Sequence, residues 1–187
     1  MIPQPAAHKM PMRVAVPDTT CIAVPDDVDL IRFLRTDVPL LIQGGAGAAE
    51  AFARRMHGLG GWRHGPFVVV DCGWPDRLLE SRLFGALRLD DEVPEGDQPR
   101  ARPVQEGMVL LRDVGRLGAG LQMRLADRLN ELRAHSGRRR FRRRLIASTD
   151  APLLPRVSAG TFDACLYYRL NVMHVILGGD PRPTVRD

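Results

Sequence analysis

The fold is decided by a short stretch, PLLIQGG at residues 39–45, in which an apolar run ends at two glycines. Such a run predicts a buried strand, and the glycines predict a tight turn directly after it. A second run, PFVVVD at residues 66–71, is rich in β-branched valine. That composition predicts a central strand of a parallel sheet, covered on both faces.

Helices and strands alternate along the chain outward from these two runs. Further strands are predicted at residues 108–111, 145–149 and 172–176, and helices at residues 26–35, 48–59, 76–84 and 121–132. Residues 87–106 are polar and interrupted by prolines, which predicts a loop. The alternation predicts an α/β fold with three layers, in which helices cover both faces of a parallel five-stranded sheet.

Length and composition fit one cytoplasmic domain without a membrane segment. The chain has 187 residues, enough for a single core. No apolar run approaches the ~18 residues that cross a bilayer, and the first ten residues lack an apolar signal region. The three scattered cysteines indicate reduced thiols. We expect a flexible, proline-rich arm at residues 1–25, a domain at residues 26–178 and a tail at residues 179–187.

The formal net charge of +5 comes from arginine, because Lys9 is the only lysine. Six arginines crowd between Arg138 and Arg144. This run predicts either a nucleic-acid contact with phosphate backbones or a solvated loop that leads into a strand. The histidines and cysteines have no metal-ligand spacing, so we expect no metal site.

Three segments relate the chain to a known family. They read GPFVVVDC at residues 65–72, LLESRLFG at residues 78–85 and LYYRLNV at residues 166–172. In this order and spacing they resemble the sigma-54 interaction domain of the AAA+ ATPase superfamily, found in bacterial activators. The resemblance extends over residues 27–177 and implies a P-loop NTPase core. Members of that family use ATP hydrolysis in a ring to remodel sigma-54 RNA polymerase.

The resemblance places a phosphate-binding loop at residues 44–51, which read GGAGAAEA where the family has GESGTGKE. Gly44 and Gly47 match, but Ala49 stands for the last loop glycine and Glu50 for the lysine. A carboxylate repels the triphosphate that the lysine neutralises. We therefore expect neither ATP nor Mg²⁺ as a cofactor. Weak nucleotide contact through backbone N–H groups at the helix start is the alternative.

The remaining positions of the implied ATPase site also differ from the family. The third strand ends in Arg112-Asp113 where the family has Asp-Glu, and Asp71 replaces an asparagine of the second strand. Thr149, after the fourth strand, matches the family's polar sensor. Arg112 offers no oxygen ligand for Mg²⁺, and Asp113 is one methylene shorter than the catalytic glutamate. No catalytic residue is assigned, because these departures from the family pattern predict an inactive relative of an ATPase.

Arg112 has a second interpretation, as an internal cation. It is expected to pair with Glu50, Asp71 or Asp113 and to fill the altered site with an ion pair. A buried pair of this kind need not add much stability, because desolvation offsets the attraction. It would nevertheless exclude phosphate.

Two features that the family uses for contacts with other proteins, a loop and an arginine pair, also differ in this chain. The loop at residues 86–106 lacks the GAFTGA motif that touches the sigma factor, so no sigma-54 contact is expected. Of the arginine pair that completes a neighbour's site in the ring, the first aligns with Asp163 and the second with Arg169. Arg169 is assigned to an interface, with an ordinary helix-surface role as the alternative. The helical lid that follows the core in this family is not expected.

These observations favour a non-catalytic, regulatory domain linked to transcription. Its partner would be a full-length AAA+ sigma-54 activator. The alternatives are a regulator that retains residual ATP binding and a nucleic-acid binder that uses the Arg138–Arg144 run.

Overall fold

The computed structural model describes residues 12–16, 20–24, 34, 36, 38–87, 107–134 and 143–177. Four predicted features lie wholly or mostly outside the described residues: the helix at residues 26–35, the loop at residues 87–106, residues 138–142 of the arginine run, and the tail at residues 179–187.

Strands and helices alternate from residue 40 onward, as predicted. The strands are β1 (Met12–Val16), β2 (Thr20–Val24), β3 (Leu40–Gln43), β4 (Phe67–Asp71), β5 (Gly107–Arg112), β6 (Arg143–Thr149) and β7 (Met173–Ile176). The helices are α1 (Ala46–Leu59), α2 (Asp76–Ala86), α3 (Ala119–Ala134), α4 (Leu154–Ser158) and α5 (Ala164–Leu170), with a 3₁₀ turn at Val114–Arg116.

The strands form one sheet in the order β2-β1-β7-β3-β6-β5-β4. The five strands from β7 to β4 run parallel to one another, which confirms the predicted parallel five-stranded sheet. Each crossover between parallel strands contains a helix, as the geometry of such connections requires. All five carboxyl ends therefore meet at one edge of the sheet.

Two strands, at residues 12–16 and 20–24, lie within the stretch that the sequence predicts to be a flexible arm. Strand β1 pairs antiparallel with β2 and also with β7, so the two strands extend the sheet beyond its parallel part. The prolines that suggested an irregular arm occupy positions 11, 17 and 25, immediately outside the strands. Proline lacks a ladder donor and commonly marks strand ends, while the valines between them favour extended backbone.

Two hydrophobic clusters lie on opposite faces of the sheet. On one face Leu40 and Ile42 pack against α1 through Ala53 and Met56. On the other face Leu41 contributes to a cluster that includes residues of α2, α3 and α5. Successive strand residues point to opposite faces, so one short apolar strand supplies both clusters. The three-layer architecture is thereby confirmed.

Candidate nucleotide site at the carboxyl edge of the sheet

The predicted site residues come together where the parallel strands end. Asp71 at the end of β4 lies opposite Arg112 at the end of β5, and Gln43 of β3 lies opposite Thr149 of β6. Gly44 follows directly and its N–H donates to the carbonyl of Thr149, 2.9 Å away. In open α/β sheets ligands bind at this edge.

The segment in the place of the phosphate loop is helical. Helix α1 begins at Ala46, two residues earlier than predicted, and the N–H of Ala49 donates to the carbonyl of Gly45 at 2.9 Å. In a phosphate loop the N–H groups at these positions face the phosphates. Ala49 is fully buried against the sheet, so it faces the core rather than the site.

Gly44 and Gly47, which match the family's loop glycines, differ in whether the surrounding packing requires a glycine. A Cβ on Gly44 would lie 3.0 Å from both the Cβ and the carbonyl oxygen of Leu177, at the end of β7. Gly44 therefore permits the close approach of two neighbouring strand ends. A Cβ on Gly47 would meet nothing within 4 Å, so packing imposes no glycine there.

Arg112 binds two carboxylates at once. Its Nη1 donates to Glu50 of α1 at 3.1 Å and its Nη2 donates to Asp71 at 2.6 Å. This confirms the expected internal ion pair, with Glu50 and Asp71 as the partners. Arg54, one turn further along α1, also donates to Glu50, with Nη2 2.7 Å from the carboxylate. We call Glu50, Asp71 and Arg112 the edge triad.

The electrostatics of the edge triad keep all three groups charged. Hydrogen bonds from Arg54 and the charge of Arg112 lower the pKa of Glu50. Burial raises the pKa of Asp71, but hydrogen bonds from Arg112 and from the Gly73 N–H outweigh it and leave the pKa lowered. The hydrogen bond to Asp71 raises the pKa of Arg112 in turn.

Asp113 stands apart from the edge triad in a strained conformation. It is the single non-glycine residue with positive φ (57°) among the described residues, in a region that costs about 1 kcal/mol or more. Its N–H donates to Ser148 Oγ at 3.2 Å. Its Oδ1 is buried and has no hydrogen-bond partner within the described chain. Burial, followed by the negative charges of Asp150 and Asp71, raises the pKa of Asp113.

Thr149 uses its polar atoms within the fold. Its hydroxyl donates to the carbonyl of Ala151 at 2.8 Å, and the residue is almost fully buried. The hydroxyl and the carbonyl of Thr149 are therefore both used in hydrogen bonds with neighbouring backbone. The side chains at this edge do not match a triphosphate with Mg²⁺: a carboxylate takes the lysine position and a guanidinium takes a metal-ligand position.

The residues aligned with the family's arginine pair have different uses. Asp163 caps α5, since its Oδ1 accepts from the Leu166 N–H at 2.7 Å. The Asp163 N–H donates at 2.7 Å to Gln122, a buried residue of α3 that sequence analysis missed. Nothing in an amphipathic helix distinguishes such a glutamine beforehand. Arg169 lies half-buried on α5 next to Tyr168, whose side chain is 65% exposed.

The side chains of the last two arginines of the basic run make contacts within the domain. Arg144 is buried in β6, donates to the carbonyl of Thr36 and places its guanidinium 5.4 Å from the centre of the Trp62 ring. Arg143 donates to the carbonyl of Ala86 at 3.0 Å. These two side chains therefore do not belong to a free basic patch.

Other candidate groups do not assemble into a site. In the described part of the chain no group of three or more histidine, cysteine or acidic residues is placed to hold a metal ion. Burial raises the pKa of the Cys72 thiol to about 12, which makes it unreactive. No helix within the described ranges is long and apolar enough to cross a bilayer.

The strand order, the glycine turn between β3 and α1, and the polar edge define a P-loop NTPase core of the AAA+ type. The family description "Sigma-54 interaction domain" matches residues 26–176, and the chain belongs to this family.

Similar proteins include bacterial transcription regulators. The chain is 34% identical over 176 residues to the regulatory protein AtoC of Escherichia coli K12, covering 85% of this chain and 35% of AtoC. It is 36% identical over 159 residues to the nitric oxide reductase transcription regulator NorR2 of Cupriavidus necator, covering 81% of this chain and 30% of that regulator. The chain thus spans about a third of the length of these relatives.

Solved structures show the same fold. NtrX from Brucella abortus in complex with ATP superposes with a TM-score of 0.60 at 26% identity, over 79% of this chain and 34% of NtrX. The P-loop NTPase domain of a sigma-54 transport activator from E. coli gives a TM-score of 0.54 at 23% identity, over 80% of this chain and 89% of that domain.

Proposed function

We propose that this domain is a non-catalytic member of its family, which neither binds nor hydrolyses ATP and regulates transcription in the cytoplasm through protein contacts. The observation that carries the proposal is the position of Arg112, held between Glu50 and Asp71 by hydrogen bonds of 3.1 and 2.6 Å. The relatives support the link to transcription, because AtoC and NorR2 are regulators by name.

Glu50 opposes nucleotide binding most directly. It puts a carboxylate where the family has the lysine that neutralises the phosphates. It also engages Arg54 and Arg112 in hydrogen bonds of 2.7 and 3.1 Å, so these guanidinium groups are already paired. Arg112 adds a second obstacle, because Mg²⁺ takes oxygen ligands and a guanidinium supplies none.

The test of this proposal is turnover of Mg-ATP by the purified protein. We expect no phosphate release above the buffer rate. The exchange Glu50→Lys with Arg112→Asp restores the family's charges at these two positions and should strengthen ATP binding. It should not restore hydrolysis, since Asp71, Asp113 and the early start of α1 remain. The matched control exchanges the charges of the surface pair Glu80–Arg124, 2.6 Å apart, and should leave ATP binding unchanged. Turnover in the wild type that is lost on Thr149→Ala would overturn the proposal.

The partner we propose is an intact AAA+ relative, bound through the exposed side of α5. Tyr168 is 65% exposed there, and Arg169 forms no ion pair with any described residue. An inactive subunit that joined a ring would change the ring's cycle without contributing ATP hydrolysis of its own.

This partner proposal is tested by adding the protein to an active relative and measuring that relative's ATPase rate and assembly size. We expect both to change, and we expect Arg169→Ala and Tyr168→Ala to abolish the change. Arg82→Ala, which removes an exposed arginine of α2, is the control and should behave as wild type. An effect that survives both α5 substitutions would refute the assigned surface.

A further inference from the structure

The edge triad joins three separate elements of the fold. Glu50 belongs to α1, Asp71 ends β4 and Arg112 ends β5. Arg112 uses a different nitrogen for each carboxylate, so one guanidinium connects the helix to the edge strand of the sheet. A planar guanidinium with several fixed donors is well suited to such a bridge.

The beginning of α1 has little other support. Its N-cap is Gly45, which offers no side-chain cap, and its first turn contains no acidic residue. Gly47 and Ala48 are exposed, and Ala49 is the first residue of the helix that packs into the core. A helix start without a cap frays readily. The hydrogen bond from Arg112 to Glu50 therefore helps to hold the start of α1 against the carboxyl edge of the sheet.

Arg54 does not provide the same attachment. It donates to Glu50 from within α1, and its own side chain is 59% exposed. An ion pair four residues apart on one helix stabilises that helix slightly but connects it to nothing else. Without Arg112, Glu50 would keep Arg54 and Asp71 would keep the nearby charge of Arg116, but the hydrogen bonds that join the two carboxylates through one guanidinium would be lost.

We infer that Arg112 acts as a tethered cation, which fixes the start of α1 to β4 and holds the carboxyl edge in one arrangement without any ligand. This inference rests on the proposed absence of ATP binding. In an ATP-binding domain the corresponding edge is organised by a diffusible ligand and its metal ion. Here the cation is part of the chain, so the arrangement is permanent and independent of nucleotide concentration.

Hydrogen–deuterium exchange of the amides between Gly44 and Ala51 tests this inference. In Arg112→Met we expect exchange of these amides to rise about tenfold, the factor expected when a partly buried ion pair is broken. Arg112→Lys keeps a cation at this position and should retain part of the protection, although it cannot bind both carboxylates with separate fixed donors as arginine does. An exchange rate in Arg112→Met equal to that of the wild type would refute the inference.

Two further variants distinguish the loss of the link between α1 and the strands from the loss of an arginine charge elsewhere. Arg54→Met removes the other partner of Glu50 and should change exchange less than twofold, because the link to β5 remains. Arg124→Met breaks the pair with Glu80 and should leave residues 44–51 unchanged. An equal rise in both controls and in Arg112→Met would refute a specific role of Arg112.

Mg-ATP distinguishes this inference from the proposed function. If Mg-ATP slows exchange of these amides in the wild type, the proposed absence of nucleotide binding is wrong. If Mg-ATP has no effect and Arg112→Met has none either, the proposed function stands and the inference about Arg112 fails. Circular dichroism of Arg112→Met verifies that the variant is folded, and Arg112→Lys supplies the same test if it is not.

Discussion

Helix α5 and the edge triad are both segments that the family uses for its ATPase cycle, yet their side chains are used differently. In α5 the segment LYYRL matches the family throughout, and three of its residues, Leu166, Tyr167 and Leu170, are buried in the core. At the carboxyl edge Glu50 and Arg112 are partly exposed and bind each other. Packing accounts for these three matches but not for Tyr168 and Arg169, and nothing in the packing demands the particular charges of the edge.

The comparison teaches which residues carry functional information. Because the buried residues of α5 are needed to fold the domain, their resemblance to the family says nothing about a partner. The exposed Tyr168 and the half-buried Arg169 are the residues of α5 that can report on an interface. At the edge the charges themselves are informative, since polar groups at a partly exposed site are free to change.

The largest effect is expected from removing a core side chain of α5. Leu166→Ala should lower the free energy of unfolding by about 3 kcal/mol, because Leu166 is fully buried and its loss leaves a cavity. Urea unfolding followed by circular dichroism measures this. The control Tyr168→Ala should change stability by about 0.5 kcal/mol or less. A similar decrease in the free energy of unfolding in both variants would mean that α5 does not have one buried and one exposed side.

At the edge, Arg112→Met should cost about 1–2 kcal/mol at pH 7, since the pair is partly exposed and weaker than a fully buried one. The contribution depends on pH. Because the pKa values of Glu50 and Asp71 are lowered in the fold, their stabilisation is present above their ordinary values of 4.5 and 3.8 and is lost as the pH falls through the folded values. Unfolding curves of wild type and variant should therefore converge at acid pH. A constant difference down to about pH 2 would contradict the ion-pair account.

A smaller effect is expected at the cap of α5. Asp163→Ala should lose about 1 kcal/mol, because the hydrogen bond from the Leu166 N–H disappears. Asp163→Asn retains an acceptor and should lose less than half of that. If Asp163→Arg, which restores the family's residue, were as stable as the wild type, the capping role would be refuted. Thermal unfolding of the three variants gives the ranking.

The smallest effect is expected at Asp113, and it has the opposite sign. Burial raises the pKa of Asp113, so its ionised form is less favourable in the fold than in the unfolded chain. Asp113→Asn should stabilise the domain by a few tenths of a kcal/mol at pH 7, and asparagine tolerates the positive φ. The gain should vanish when the pH falls well below the ordinary value of 3.8, where the aspartic acid is protonated in both states. Destabilisation at pH 7 would show that the carboxylate has a favourable partner.

The sequence predicted the parallel sheet and its helices because apolar runs and glycine turns are local signals. It did not predict β1 and β2, since the prolines around them suggested an arm and pairing with β7 is a long-range property. It identified Glu50, Asp71 and Arg112 as altered positions and expected Arg112 to form an ion pair. It did not reveal that one guanidinium binds both carboxylates, or that the phosphate-loop segment is helical from Ala46, because both depend on how distant elements pack.

The central claim is that this edge binds no nucleotide, and isothermal titration calorimetry with Mg-ATP tests it most directly. The wild type should give no binding heat at millimolar ATP, while the Glu50→Lys, Arg112→Asp double variant should give a measurable saturable signal. Saturable binding by the wild type would contradict the claim, because it would show that neither Glu50 nor the bridging guanidinium keeps ATP out.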